Sequence, residues 1–482
     1  MAIEAAPSHL DPRYATGANA SRIGGLVFAS LAVADGQGGY QPYLARSWQR
    51  LDKTTWRFEL RRDFVFHDHS PLQASDVVAT YRSVIDPASA SPKRGAIASL
   101  VSVQAQGPWT VDFILAWSDA AFLEGSSLGI LPASLATRTD IPSEDLIGAG
   151  PYLISRIVEN ETVELEAFAK FAHGPPAIAR IHFKIVPDQV MRALELHHGS
   201  IDLVQNAIDP DTVDWLEANS PQLIVHRGPS NSFQYLGFNF EHPALSRLEV
   251  RRAIALAVDR RSIIESLLEG QATEASGLLP PQHWAYEKEV RRYPFNPRRA
   301  GRLLDRAGLT DPDGQGPQPR LVLGYKTTTD QLRRRIAEAL AAQLGRVGIK
   351  LEVLSYEWGT FYDDIKRGNF QLYSLAWVGI TDPDLYRNIY HSAMLPPAGA
   401  NRGRYRNRRM DRLTTKGSRS DSLNHRGDLY RRVQKHAARQ LPYLPLWWPD
   451  SIVIANRRLR DFTPHPSGDL LGLARARLEP KQ

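Results

Sequence analysis

The segment from Arg320 to Trp377 reads RLVLGYKTTTDQLRRRIAEALAAQLGRVGIKLEVLSYEWGTFYDDIKRGNFQLYSLAW. Three short apolar runs within it predict strands over Arg320–Tyr325, Ile349–Leu354 and Phe370–Trp377. The two stretches between them have the apolar spacing of amphipathic helices, over Asp330–Val347 and Trp358–Arg367. Strands that alternate with helices in this way are typical of a parallel sheet, so the segment predicts an α/β fold.

Other parts of the chain combine the same two periods. Thr55 to Arg61 alternates apolar and charged residues and predicts a half-buried strand, and Phe64 to His67 continues the pattern after a turn. Ser75 to Ile85 has helical spacing, with Ser75 as its predicted N-terminal cap. A further helix is predicted over Asp188 to His197, with one side formed by Val190, Ala193, Leu194 and His197.

Late in the chain, two apolar runs predict two separate strands, over Leu444 to Trp448 and Ser451 to Ala455. Trp447 and Trp448 are expected to pack in the core or between lobes, as large aromatic side chains commonly do. The chain is therefore expected to form two α/β bodies, with this late segment returning to the first.

Composition places the chain among globular proteins. It has 482 residues, 43% hydrophobic and 23% charged, with a net charge of +7 and no cysteine. No apolar run reaches the ~18 residues of a membrane span, and the absence of cysteine excludes disulfides, zinc thiolates and cysteine nucleophiles. One arginine-rich run is predicted to be a solvated loop beside a helix start, with a nucleic-acid patch as the alternative: Arg402, Arg404, Arg406, Arg408, Arg409 and Arg412.

Signatures of catalysis are lacking. The sequence contains no P-loop, GxGxxG, GxSxG or HExxH pattern. The histidine pairs His67 with His69 and His197 with His198 are interpreted as structural, because two histidines alone rarely make a metal site. We therefore predict a protein that is not an enzyme and has no catalytic residue, metal or cofactor, with a peptide or sugar hydrolase kept as an alternative.

The end of the strand at Trp377 is the predicted ligand-binding region. A polar loop from Gly379 to Asp384 follows this tryptophan directly. In open α/β sheets ligands bind outside the carboxyl ends of the strands. An aromatic wall beside an acid favours a cationic or amine-bearing ligand.

Several ordered motifs resemble the family-5 solute-binding proteins of ABC importers, the dipeptide, oligopeptide and nickel group. The resemblance covers Leu10 to about Phe462, and the motif Gly148–Tyr152 is similar to the family's GTGPY turn. The other matching segments are Leu44–Trp48, Trp56–Arg61, Phe66–Asp68, Pro71–Val77, Gly237–Asn239, Arg251–Ile254, Asp259–Arg260, Arg298–Gly308 and Tyr356–Trp358.

The resemblance implies a two-lobed periplasmic-binding-protein fold of type II, similar to cluster C, with an extra domain inserted in the first lobe. Lobe one would comprise residues 1–38, 148–228 and 452–482, the inserted domain 39–147, and lobe two 229–451. The family implies a periplasmic monomer whose export signal has been removed, which closes over a peptide or small solute and delivers it to an ABC permease of the inner membrane. It implies no binding of nucleic acid.

Departures from the dipeptide branch concern its two ligand anchors. Ile380 stands where that branch has the Asp that holds the peptide amino group, with Asp382 and Asp384 further along, and Lys326 is the cation nearest to the missing carboxylate-binding Arg. Peptides remain the first expectation, with opines, glycosides and nickel or other metal chelates as alternatives. The predicted ligand-binding residues are Tyr14, Thr16, Gly17, Gly150, Tyr152, Tyr325, Lys326, Thr327, Trp377, Gly379, Ile380, Asp382 and Asp384.

Overall fold

The computed structural model describes residues 1–36, 39–314, 316–420 and 422–480. These residues form two units. The first contains Met1–Ser230, Arg419–Asp421 and Ser451–Gln482, and the second contains Asn231–Ser418 and Ser422–Asp450. The inserted domain expected over residues 39–147 is not separated from the first unit by this division, and its boundaries stay a prediction.

Before the chain enters the second unit, the described residues of the first unit form these strands: β1 (Ala2–Ile3), β2 (Ala32–Ala34), β3 (Tyr40–Pro42), β4 (Ala45–Arg50), β5 (Thr55–Leu60), β6 (Leu100–Ala105), β7 (Thr110–Leu115), β8 (Tyr152–Val158), β9 (Thr162–Ala167), β10 (Arg180–Ile185), β11 (Leu203–Gln205) and β12 (Leu223–Pro229). Its α-helices are α1 (Ala18–Val27), α2 (Ala74–Ile85), α3 (Phe122–Gly125), α4 (Ala133–Ala136), α5 (Gln189–His197) and α6 (Pro210–Asn219). Its short 3-10 helices are Pro87–Ser89, Arg94–Ile97, Ser143–Asp145 and Leu471–Ala474.

The second unit contains β13 (Phe233–Phe238), β14 (Ala272–Glu274), β15 (Leu321–Thr328), β16 (Ile349–Tyr356) and β17 (Leu372–Trp377), and the strand β18 (Tyr443–Asn456) begins in it. Its helices are α7 (Leu248–Ala257), α8 (Arg260–Leu267), α9 (Pro297–Arg306), α10 (Gln331–Gly345), α11 (Trp358–Arg367), α12 (Leu385–Tyr390), α13 (Arg408–Ser418) and α14 (Leu423–Gln440). The chain ends in the first unit with β19 (Leu459–Arg460) and β20 (Arg477–Leu478).

Two sheets form the framework of the first unit. One contains β8, β9, β10, β1, β11 and the second part of β18 in that order, with β1 parallel to both β10 and β11. The other is the antiparallel sheet β4–β5–β7–β6, which encloses its own apolar core around Phe58, Phe113 and Tyr81. The first unit therefore combines a mixed sheet with a separate antiparallel one.

The sheet of the second unit confirms the α/β prediction. Strand β15 pairs in parallel with β16 and with β17, and α10 and α11 connect these strands. Strand β17 continues antiparallel to β13, which in turn pairs with the first part of β18. Leu340 and Leu344 of α10 are fully buried in the adjoining core, as the helical spacing predicts. Trp377 is the last residue of β17 and marks the carboxyl end of this strand.

Three local predictions of caps and strands need correction. The cap of α2 is Gln73 rather than Ser75, because Asp76 Oδ2 accepts the Gln73 backbone N–H at 2.8 Å in a capping box. The segment Phe64 to His67 is no full strand and contributes only an isolated bridge between Val65 and Pro71. The two late strands are one continuous strand, β18, because its first part pairs with β13 and its second part with β11.

Helix α5 buries a different side from the predicted one. Its buried residues are Arg192, Ala193 and Leu196, whereas Val190 and Leu194 are 48% and 38% exposed. Arg192 donates hydrogen bonds to the carbonyl oxygens of Val186, Pro187 and Ala207, so a polar residue belongs to the buried side. Apolar spacing alone selects the wrong stripe on so short a helix.

The predicted core position of two tryptophans is confirmed, since Trp447 and Trp448 are only 3% and 6% exposed. Across residues 1–36, 39–314, 316–420 and 422–480, no helix has both the length and the apolar character that crossing a bilayer requires. Among the same residues, no cluster of three or more histidine, aspartate or glutamate side chains is placed to hold a metal ion.

Candidate ligand-binding site

Trp377 lies at the carboxyl end of β17, where it pairs with Phe233 of β13. Its side chain is half-buried, while the next residue, Val378, is 49% exposed. Gly379 then takes a φ of 69°, which turns the chain back because glycine adopts this conformation without steric cost. The backbone N–H of Ile380 donates to the carbonyl oxygen of Asn231 at 2.8 Å, and the Ile380 side chain is buried in the core.

Asp382 forms a buried ion pair with Arg426 of α14. Arg426 donates from both terminal nitrogens, at 2.8 and 2.5 Å, to the two carboxylate oxygens. Burial opposes the charge on Arg426, but the neighbouring Asp382 carboxylate outweighs it and raises the pKa of the guanidinium. A bidentate pair of this kind holds the carboxylate strongly, so Asp382 already has a cationic partner within the protein.

Asp384 accepts a hydrogen bond from a tyrosine. The hydroxyl of Tyr430, also on α14, donates a hydrogen bond to Asp384 Oδ1. Burial and the adjacent Asp384 carboxylate raise the pKa of Tyr430 well above its usual range, so the phenol keeps its proton and remains a donor. The two acids expected to face an amine are thus both held by residues of α14.

Lys326 is likewise paired. Its ammonium group lies 2.5 Å from Asp364 Oδ2 and 5.0 Å from the centre of the Tyr356 ring. The hydrogen bond from Lys326 holds the pKa of Asp364 below its usual range. The flanking residues Tyr325 and Thr327 are buried at 1% and 2% exposure, with Tyr325 inside the core. The predicted substitute for the carboxylate-binding arginine therefore already has an anionic partner.

Arg402 lies against the ring of Trp377. Its guanidinium carbon is 4.8 Å from the centre of the Trp377 ring and 5.2 Å from that of Tyr362. It donates to the hydroxyl of Tyr362 at 3.0 Å and to that of Tyr235 at 3.3 Å. Each cation–aromatic contact of a desolvated arginine is worth about 1–2 kcal/mol. We call Arg402, Tyr235, Tyr362 and Trp377 the arginine–aromatic cluster.

The expectation of a solvated arginine-rich loop is wrong for Arg402, which is only 8% exposed. Arg404 pairs with Glu241 at 2.9 Å, whereas Arg406, Arg408, Arg409 and Arg412 are exposed. One local signal could have pointed to burial, namely the neighbouring Gly403. A Cβ there would lie 2.5 Å from the Phe238 carbonyl oxygen, so the chain packs tightly at this point.

The predicted residues of the first unit occupy two places. Gly17 directly precedes α1, next to the exposed Thr16, and the Tyr14 hydroxyl donates to the Ser89 carbonyl oxygen at 3.2 Å. Gly150 and Tyr152 instead lie where β8 begins. Tyr152 is fully buried, with its hydroxyl 3.4 Å from the Leu473 carbonyl oxygen.

Within the second unit, the structure brings Trp377 together with Arg402 and two tyrosines that the sequence did not single out. It does not gather the other predicted residues around Trp377, because Lys326, Asp382 and Asp384 have partners of their own. The proposed ligand contacts of these residues stay predictions. Arg402, Tyr362, Tyr235 and Arg426 were missed because their roles depend on contacts between distant parts of the chain.

His67, interpreted as structural from the sequence, holds the motif Gly148–Tyr152 in place. Its Nδ1 accepts the Gly148 N–H at 3.2 Å, which leaves Nε2 to donate to the Gly150 carbonyl oxygen, also at 3.2 Å. Burial lowers the pKa of His67 from 6.5 to about 4. A neutral imidazole is what this arrangement requires, because Nδ1 must accept a hydrogen bond.

Acidification should therefore destabilise the fold through His67. Between pH 6.5 and about 4 the folded state holds fewer protons at His67 than the unfolded state, so stability is lost as the pH falls. The loss attributable to His67 reaches up to about 3 kcal/mol at the acid end. We expect urea unfolding midpoints of His67→Gln to fall less steeply with decreasing pH than those of the wild type. Parallel profiles for the two proteins would contradict this role.

Comparison with known proteins gives a consistent result. The profile of the bacterial extracellular solute-binding proteins, family 5, middle region, matches residues 39–393. The probable di/tripeptide-binding protein 5 of Pseudomonas aeruginosa is 29% identical over 90% of this chain and 86% of its own length.

Solved structures agree in fold. The oligopeptide-binding protein AppA of Bacillus subtilis, in complex with a nonapeptide, superposes with a TM-score of 0.91 at 24% identity, covering 99% of this chain and 98% of the other. NikZ of Campylobacter jejuni, in complex with Ni(L-His), superposes with a TM-score of 0.88 at 24% identity over the same shares. These similarities confirm the predicted periplasmic-binding-protein fold. The family profile covers well over half of the chain, and the protein therefore belongs to the bacterial extracellular solute-binding proteins of family 5.

Proposed function

We propose that this protein is the substrate-binding component of an ABC importer and that its ligand is a short peptide. The observation that carries the proposal is the relationship itself, because the family match extends over residues 39–393 and relatives such as the di/tripeptide-binding protein cover nine-tenths of the chain. In this function the protein captures a solute outside the membrane and presents it to a permease. It needs no catalytic residue.

The proposal includes how the protein works in the cell. It is a monomer of the periplasm, and it does not act on nucleic acid. Ligand binding shifts the population between an open and a closed conformation, to the extent that the ligand prefers the closed one. An import role of this kind predicts reversible binding without turnover of the ligand.

The contacts of the second unit support a peptide whose amino end is not held by the two aspartates after Trp377. Asp382 and Asp384 are engaged by Arg426 and Tyr430, and taking a buried partner from an ion pair is costly. The rings of the arginine–aromatic cluster support apolar contacts with side chains of the ligand. Recognition by shape and aromatic contact suits peptides of varied sequence.

Native mass spectrometry of the purified protein tests the proposal. We expect a mass excess over the polypeptide, and after denaturation, release of peptides that tandem mass spectrometry identifies. A released opine, glycoside or metal chelate would keep the importer role and overturn the peptide assignment. A ligand converted chemically during incubation would overturn the import function in favour of a hydrolase.

If the protein is isolated empty, a thermal-shift assay with a mixed library of free tripeptides decides the matter. A ligand at a hundredfold excess over its Kd stabilises the folded state by about 2.7 kcal/mol, which raises the melting temperature by several degrees. A library of small sugars of similar mass is the control. A shift with peptides alone supports the proposal, and no shift with peptides overturns it.

A further inference from the structure

We propose that Arg402 is the carboxylate-binding residue of this protein, and that the arginine–aromatic cluster receives the carboxylate of the ligand. The inference rests on the proposed function, in that it assumes a small solute as the ligand, and it deepens that function by naming the chemistry that the site selects. Arg402 takes a position outside the segment around Lys326 where a carboxylate anchor was expected.

The other buried arginines have their charge or their N–H groups satisfied within the protein. Arg13, Arg260 and Arg426 each lie within 2.7 Å of an aspartate or glutamate oxygen. Arg192 and Arg251 each donate to three or more backbone carbonyl oxygens.

Arg402 differs from all five. Among the residues that the structure describes, the polar contacts of its guanidinium are two tyrosine hydroxyls, and no carboxylate or backbone carbonyl accepts from that group. A buried cation whose charge is not balanced is unfavourable. An anion supplied by the ligand would give Arg402 the acceptors that the other buried arginines find within the protein.

The arginine–aromatic cluster has more hydrogen-bond donors than acceptors. A guanidinium carries five N–H groups, of which Arg402 uses two on tyrosine hydroxyls. The Tyr362 hydroxyl accepts from Arg402 and so retains its own O–H as a donor, whereas the Tyr235 hydroxyl also lies 3.4 Å from that of Tyr373. The indole N–H of Trp377 is buried and has no acceptor among the described residues. A carboxylate has only acceptor oxygens, and it therefore supplies what the cluster lacks.

Aromatic rings adjoin the charge of Arg402. Tyr362 stacks on Trp358 with ring centres 5.4 Å apart, and Trp358 is 46% exposed. The aromatic surface thus extends from the buried Arg402 to the exterior of the second unit. A carboxylate attached to an aromatic or aliphatic group fits both parts of this surface, because its charge meets the guanidinium and its apolar part meets the rings.

The test compares two probes that differ only in charge, 3-phenylpropanoate and its neutral amide 3-phenylpropanamide. Indole N–H signals of protein labelled with nitrogen-15 tryptophan report binding, and the signal of Trp377 is assigned by its loss in Trp377→Phe. We expect the wild type to bind the acid about ten- to a hundredfold more tightly than the amide, as charge-assisted pairing with an arginine implies. Equal titration curves at millimolar concentration, or none for either probe, would overturn the inference.

Variants then assign the preference to Arg402. Arg402→Gln should bind acid and amide equally, and Arg402→Lys should recover part of the preference because it restores the charge without the planar fork. Arg406→Gln is the matched control, since Arg406 lies exposed in the same run. A merely structural role would weaken both probes alike. The wild-type comparison uses no variant of Arg402, so it decides even where Arg402→Gln fails to fold.

The peptide proposal and this inference fail separately. Free tripeptides and the same tripeptides amidated at the carboxyl terminus are compared by thermal shift. Peptide binding without preference for the free acid leaves the proposed function intact and overturns the role of Arg402. No peptide binding, together with a preference for 3-phenylpropanoate over its amide, keeps the role of Arg402 and overturns the peptide assignment.

Discussion

Asp382→Asn should lower the free energy of unfolding by about 3–5 kcal/mol, because it leaves the Arg426 guanidinium buried without its anionic partner. The two side chains are only 10% and 5% exposed, so water cannot take over the role of the carboxylate. Asp382 Oδ1 also accepts the Asp384 backbone N–H at 2.7 Å, which ties the loop after Trp377 to the same pair. Urea unfolding of the wild type and the variant measures the difference.

Asp428→Asn is the matched control, because Asp428 pairs with Arg431 on the same helix at an exposed position. Exposed pairs contribute about 1 kcal/mol or less, so this variant should unfold near the wild-type midpoint. Asp382→Asn also separates two roles for the acid. If Asp382 held a ligand amine, as its position in the sequence suggests, the variant would lose affinity and keep its stability.

Gly148→Ala is expected to cost about 3 kcal/mol or more in folding free energy, as overpacking against an immobile neighbour does. A Cβ at this position would lie 1.9 Å from the Val27 carbonyl oxygen and 2.7 Å from its carbonyl carbon. The turn cannot move away easily, because His67 holds both the N–H and the carbonyl of Gly148. Thermal unfolding followed by circular dichroism should show a melting temperature lowered by many degrees.

Gly301→Ala provides the control for the glycine substitution. Gly301 lies inside α9, and a Cβ added there would meet no atom within 4 Å, so alanine should stabilise the helix by about 0.5–1 kcal/mol. An unchanged melting temperature for Gly148→Ala would contradict the close approach of the turn to α1. The two variants make the same chemical change and are expected to shift stability in opposite directions.

Much of the fold was predictable because it depends on local patterns. Helix α11 has the predicted bounds, Trp358–Arg367. Predictions failed where tertiary contacts override local preference. The buried face of α5 includes an arginine, and one long strand replaces the two predicted in β18, because its two parts pair with different strands.

The candidate site was predictable in part for the same reason. Trp377 could be placed at a strand end because strand ends are visible in the sequence, and it does lie there. The partners of the charged residues could not be predicted, because a side chain alone does not show what it will pack against. Arg402 appeared as one of six arginines in a run, yet it is buried while most of the others are exposed.

The sequence by itself determined the α/β class, the order of most elements and membership in the family, since these follow from periodicity and from motifs that are contiguous in the chain. Only the tertiary structure decided which charges are already satisfied. Asp382 meets Arg426 across 44 positions, Lys326 meets Asp364 across 38, and Arg402 meets Tyr235 across 167. The energy of a charge depends on its nearest partners and on its exclusion from water, and both arise only when distant segments pack together.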